Sequence, residues 1–257
     1  SRIKVRAGGY EECSNADVII ITAGVNQKPG ETRLALVERN AAIMKGIIKN
    51  IMDNSFNGIF IIASNPVDIL TYIAWKESGL PHERVIGSGT TLDTARLRSG
   101  LSEYFNVDPR NIHTYIMGEH GDTEFATWSH ATIASQPIEE YIQKHGDKYK
   151  MADLEQIFID TRDAAYYIIE RKKATYFGIG MCVARIAKAV LNNERAILPV
   201  GVYLDGIYGQ TDVFSSAPSI VSRKGIEEII ELDLTEDELQ KLNHSINVLK
   251  ETMKPVL

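Results

Sequence analysis

Two short runs, VIIIT at 18–22 and IFIIA at 59–63, are apolar at nearly every position and end in turn chemistry, AG in one case and SNP in the other. Unbroken apolarity over strand length predicts strands buried on both faces of a parallel sheet. Between them, residues 32–54 place Leu36, Ile43, Ile47 and Ile51 at helical spacing. A second helix is predicted over 67–78, ahead of a strand at 84–86. Strand, helix, strand, helix, strand at this density predicts right-handed crossovers and an α/β, doubly wound parallel sheet. The ligand crevice of such a sheet lies beyond the carboxyl ends of its strands. That rule places Ala23, Gly24, Ser64, Asn65 and residues 87–89 at its rim.

Beyond Thr91 the pattern changes. A helix is predicted at 92–105, then a strand at 113–117 that runs into GEHGD. A long helical tract, about 151–192, is broken or bent near 174–180. Two hairpin-like runs follow, ILPVGVYLDGIYG and VFSSAPSIVSRKGIEEIIEL. The last helix, 235–254, opens on T-E-D-E, which suits a helix N-terminus by capping and by charge. The boundary is set at 87–89, giving a partial dinucleotide-binding domain at 1–87 and an α+β substrate domain at 88–257.

Composition narrows the function. At 44% hydrophobic and 24% charged, the 257-residue chain is an ordinary globular sequence. A formal net charge of −6 leaves no basic excess to neutralise phosphates, which argues against nucleic acid as a partner. No apolar run reaches membrane-spanning length. Cys13 and Cys182 form no CxxC pair and are read as reduced thiols in a cytoplasmic protein. GxxxxGK[ST], GxSxG, HExxH and cysteine–histidine zinc spacings are absent, so no metal site is expected.

The chemistry sits in three places. GVNQKPGETR, residues 24–33, is a polar loop that brings the amide of Gln27 and the guanidinium of Arg33 to the crevice edge; by itself it reads first as a solvated loop. In LDTARLR, Asp93 and Arg96 stand three apart and share a helix face, while Arg98 points about 200° away from Arg96. This is either a surface ion pair or an anion grip beside the crevice. His120 of GEHGD is one of six histidines; a carboxylate partner would make it an acid–base, with Asp93 and Asp122 as the two candidates.

Five pieces in order, ITAGVNQKPGETR, ASNPVD, GSGTTLDTARLR, GEHGD and KKATYFGIG, resemble the lactate/malate dehydrogenase family over residues 16–180. The resemblance implies an NAD-dependent hydride transfer between pyruvate and L-lactate. It makes His120 the proton carrier with Asp93 as its paired carboxylate, and Arg96 the clamp on the substrate carboxylate. Arg33 would polarise the carbonyl, while Asn65, Gln27 and Thr175 would line the substrate. Ala23, Gly24, Ser64, Asn65 and Ile179 would contact the cofactor. Malate dehydrogenases typically carry arginine where this chain has Gln27, and a neutral amide leaves a second substrate carboxylate unpaired, which favours pyruvate over oxaloacetate. Arg98 and His113 match the residues that bind fructose 1,6-bisphosphate in bisphosphate-activated bacterial members, which implies allosteric activation and a homotetramer.

The departure from the family is at the start. No GxGxxG loop with a ribose-binding acid is present, and the sheet begins as if in its middle. An upstream βαβ unit is therefore expected in the intact molecule. Malate dehydrogenase and an inactive assembly module are the competing readings.

Overall fold

The computed structural model describes residues 3–25 and 33–256, the side chains of 33 and 34 excepted. Gln27 lies outside the described residues, and so does the Arg33 side chain. The architecture is α/β, as the alternation of apolar runs predicts. Strands β1 (Val18–Ile21), β2 (Ile59–Ile62) and β3 (Val85–Gly87) are parallel neighbours, joined by helices α1 (Arg33–Met52) and α2 (Val67–Ser78). All four residues of β2 are buried, which is why it is apolar without alternation. Helix α2 ends where Gly79 takes a left-handed φ of 64°, a conformation that glycine adopts without a Cβ penalty.

From Gly87 the chain enters helix α3 (Thr91–Phe105). The predicted strand 113–117 is two short ones, β4 (Ile112–His113) and β5 (Ile116–Met117), each in a different small sheet. The first pairs with β7 (Thr132–Ile133), which pairs in turn with β8 (Gln136–Pro137), and the second pairs with β6 (Phe125–Ala126). A short helix α4 (Ile138–Lys144), not foreseen from the pattern, follows. The long helical tract is α5 (Met151–Lys172) and α6 (Phe177–Leu191), separated where Lys173 adopts φ 65°. The two hairpin-like runs are β9 (Ala196–Asp205), β10 (Thr211–Ser222) and β11 (Gly225–Ile229). The last helix is α7 (Glu236–Met253), and Thr235 with Glu238 forms its capping box.

The late strands extend the first sheet instead of forming a separate one. Its order is β1-β2-β3-β9-β10-β11, with β9 antiparallel to β3 through the pair Gly87 and Gly201. One hydrophobic core runs through β1–β3, α1, α2, α6, β9, β10 and α7; a second, built by α3, α4, α5 and the small sheets, contains Leu97, Leu101, Ile116 and Leu154. Residues 118–124 leave β5 between these two masses.

The joint at β3 and β9 is tight. A Cβ on Gly89 would sit 2.5 Å from the Gly201 nitrogen and 2.7 Å from the Val200 carbonyl carbon, and Gly89 has φ 52°. Both atoms are backbone, so nothing cheap can move. Gly89→Ala is expected to destabilise the fold by about 1–3 kcal/mol or more, measured as the urea midpoint; an unchanged midpoint would contradict this account of the joint.

Candidate active site

His120 leaves β5 in a backbone that several elements hold. Gly118 pairs with Ser216 of β10, its N–H donating to the Ser216 carbonyl at 3.2 Å and its own carbonyl accepting from the Ser216 N–H at 2.9 Å. The His120 N–H donates to Asp68 Oδ2 of α2 at 2.8 Å. Below it, β5 hangs from α3: Thr90 Oγ1 donates to the Ile116 carbonyl and the Ile116 N–H donates to Thr94 Oγ1, at 2.5 and 2.9 Å.

The imidazole meets the carboxylate that the sequence offered from a distance. His120 Nδ1 lies 2.6 Å from Asp93 Oδ2, and Arg96 Nη1 lies 3.7 Å from the other oxygen, Oδ1. Asp93 sits in the first turn of α3, where the helix N-terminus favours negative charge. Its i, i+3 spacing to Arg96 puts both on one face. Asp93 side-chain exposure is 5%, against 24% for His120 and 22% for Arg96, so the carboxylate is the buried anchor and the two cations reach outward from it. Asp122, the competing partner, instead accepts from Tyr166 of α5 at 2.6 Å and ties the loop to that helix.

Two further acids shape the charge. Burial alone would push the His120 imidazole down. The Asp93 charge and its hydrogen bond, reinforced by Glu124 and Asp68, outweigh burial and raise its pKa to about 9. Glu124 is buried, its carboxylate pushed well above its ordinary range by burial and by Asp93. Donor atoms of Asp93, His120 and Glu124 all lie within 4.8 Å of one another. Asp68 is buried in α2, raised by burial to about 7. Neither residue was singled out from sequence. The signal available for Asp68 was a carboxylate beside an otherwise apolar buried stretch, V-D-I-L.

The rim is assembled at the carboxyl ends of β1 and β2, as the crevice rule predicts. Ser64 Oγ donates to the Ala23 carbonyl at 2.6 Å. Asn40 of α1 accepts from the Val25 N–H at 2.9 Å and donates to the Asn65 carbonyl at 3.0 Å. These bonds fix the two strand ends side by side and leave Ala23, Gly24 and Asn65 exposed. Ile179, half-buried in α6, and Thr175, exposed in the segment before it, complete the residues expected there. The Arg96 guanidinium reaches α6, where a Cβ on Gly178 would lie 3.9 Å from its Nη2.

A rim of backbone, one amide and an aliphatic side chain fits the flat ring end of a nicotinamide cofactor, which is neutral when reduced and cationic when oxidised. The glycine cradle for its phosphates is not in this sequence. Arg98 points away from this site, as its helical angle requires; its Nε and Nη2 donate to the Thr114 carbonyl at 3.1 and 2.8 Å, next to the exposed His113.

Comparison with known proteins gives the family. Residues 1–87 match the lactate/malate dehydrogenase NAD binding domain and residues 90–257 the alpha/beta C-terminal domain of the same family. L-lactate dehydrogenase 2 of Bacillus cereus is 59% identical over 257 residues, which cover 100% of this chain and 82% of that protein. L-lactate dehydrogenase 1 of the same species is 59% identical over 254 residues, covering 99% of this chain and 81% of that protein. The crystal structure of MGS-M5, a lactate dehydrogenase from a Medee basin deep-sea metagenome library, superposes with a TM-score of 0.96 at 50% identity, covering 100% of this chain and 82% of that one. The ligand-bound minor L-lactate dehydrogenase of Enterococcus mundtii gives 0.94 at 53% identity, covering 97% and 79%. Both halves of the chain therefore belong to the lactate/malate dehydrogenase family, whose enzymes use NAD.

Proposed function

We propose that this enzyme interconverts pyruvate and L-lactate, with His120 carrying the proton. The observation that bears most weight is the 2.6 Å bond from His120 Nδ1 to Asp93, on a carboxylate whose other oxygen faces Arg96. With a pKa raised to about 9, the imidazole is cationic at neutral pH. Its Nδ1–H is committed to Asp93, so the proton available to substrate is on Nε2. When bound, NADH would supply the hydride for the carbonyl carbon. His120 Nε2 then gives its proton to the carbonyl oxygen, and the neutral ring that remains keeps Nδ1–H on Asp93. That tautomer leaves Nε2 free to take the hydroxyl proton when lactate is oxidised.

Arg96 holds the substrate carboxylate in this reading, at a distance from Asp93 that leaves guanidinium donors for a bidentate grip. Arg33 and Gln27 take the roles implied by their motif, polarising the carbonyl and facing the methyl group; a neutral Gln27 leaves oxaloacetate's second carboxylate without a partner. Asn65 and Thr175 line the substrate pocket, and Ala23, Gly24, Ser64, Asn65 and Ile179 hold the nicotinamide end of NAD. The cofactor part is assigned to 1–87 and the substrate part to 88–257. The enzyme works as a cytoplasmic homotetramer in fermentative glycolysis, a setting suited to its free cysteines.

Regulation by fructose 1,6-bisphosphate is part of the same proposal. Arg98 is capped on a neutral carbonyl and lies 5.2 Å from the centre of the Tyr115 ring, with no carboxylate in an ion pair with it among the described residues. Its guanidinium charge is thus available to a phosphate, beside His113.

Pyruvate reduction followed by loss of NADH absorbance tests the mechanism. His120→Gln and Asp93→Asn are expected to lower kcat/KM by about 10²–10⁴-fold with the far-ultraviolet circular dichroism unchanged; rates equal to the native protein's would refute the acid–base assignment. Adding fructose 1,6-bisphosphate is expected to lower the apparent KM for pyruvate, and an unaltered KM would remove the allosteric part.

A further inference from the structure

Helix α7 lies at the opposite end of the chain from the residues that motif reading brought to the site. Its Ser245 is fully buried, and Ser245 Oγ accepts from the Glu119 N–H at 2.7 Å, across 126 positions of sequence. Thr123 Oγ1 stands 3.0 Å from the same Ser245 oxygen and donates to Glu119 Oε2 at 2.5 Å. A hydroxyl has one proton. Because Thr123 gives its proton to the Glu119 carboxylate, Ser245 must give its own to Thr123. The bonds therefore run in one direction around a closed ring: Glu119 N–H to Ser245, Ser245 to Thr123, Thr123 to the Glu119 side chain.

The ring also fixes the residue before it. A Cβ on Gly118 would lie 2.7 Å from Ser245 Oγ, and Gly118 has φ 94°, so the chain passes against the serine where only glycine fits. From there the backbone reaches Asp68, which receives the His120 N–H. The peptide groups on both sides of Glu119 are thus held by side chains of different helices, α7 and α2. That geometry aims the His120 ring at Asp93.

We propose that Ser245 is a positioning residue for His120, acting through the Glu119 N–H and the Thr123 hydroxyl to hold the imidazole in register with Asp93. The inference rests on the reading of His120 as the proton carrier. The ionisable groups that face His120 are Asp93 of α3, Asp68 of α2, and Glu124 of its own loop, with Arg96 and Arg162 facing Glu124 and Glu119 facing Asp68. Ser245 bonds to none of these side chains directly; its link is to the backbone of Glu119 and to Thr123.

The test compares native enzyme, Ser245→Ala and Thr123→Val, the last breaking the same ring at a partly exposed position and leaving α7 intact. Each is expected to lose about tenfold in kcat/KM for pyruvate reduction. The alkaline limb of that profile reports the imidazolium and falls as pH rises through its pKa. It should move to lower pH by about half a unit or more, because a displaced ring feels Asp93 less. Hydrogen exchange at the Glu119 and His120 amides, read without substrate, should quicken in both variants. If Ser245→Ala does not fold, Thr123→Val decides alone. An unmoved alkaline limb with native exchange at these amides, whatever the melting temperature, overturns the proposal. His120→Gln run alongside separates the two readings: activity retained there defeats the proton-carrier assignment, whereas activity lost there with silent ring variants defeats only the role of Ser245.

Discussion

The 2.6 Å contact between His120 Nδ1 and Asp93 Oδ2 sets the terms for everything around it. A buried carboxylate without a partner would be costly, and a buried imidazole without an anion would be neutral at physiological pH. Each solves the other's problem. Together they keep a proton on a ring that faces the crevice, and Arg96 on the second Asp93 oxygen adds a cation without competing for the first. Glu124 and Asp68 add negative potential nearby, and burial pushes their own carboxyls toward the protonated state. The excess negative charge is therefore moderated, while the imidazolium stays favoured.

Such a contact is useful only if the ring cannot swing away from it. The fold supplies that rigidity from separate directions: the β10 backbone at Gly118, α7 at Glu119, α2 at the His120 N–H and α5 at Asp122. These elements belong to both hydrophobic cores, and the loop lies where the cores meet. The close approach of β3 and β9 at Gly87, Gly89 and Gly201 locks the α3 entry point to the same sheet that carries β10. The geometry of the candidate site is a product of packing between distant segments.

Periodicity was enough to read the parts of this fold that are local. The buried strand β2 shows as an apolar run, whereas β1, just as apolar, is an edge strand with Ile20 exposed and is not buried on both faces; α2 shows its full length of 67–78, and T-E-D-E marks the capped start of α7. The asymmetry of Asp93, Arg96 and Arg98 on one helix is likewise legible from spacing alone. Long-range pairing was not. Nothing in ILPVGVYLDGIYG says that β9 will join β3, because an antiparallel partner is chosen by tertiary packing and not by its own pattern. Splitting 113–117 into two strands has the same origin, since its two halves pair with different partners. Asp68, Glu124 and Ser245 escaped notice because a polar residue in a buried element announces its role only through its partner, and His120, Asp93 and Glu119 lie 52, 31 and 126 positions away from them.

The central claim is that Asp93 holds His120 as an imidazolium, and the titration of that ring tests it most directly. Nuclear magnetic resonance of the His120 carbon between its two nitrogens, followed against pH in the native protein and in Asp93→Asn, reads the ring itself and needs neither substrate nor cofactor. The account predicts a native midpoint of about 9 and a fall of at least about one unit in the variant. A native midpoint near the ordinary value of 6.5, unchanged by loss of the Asp93 charge, would contradict it.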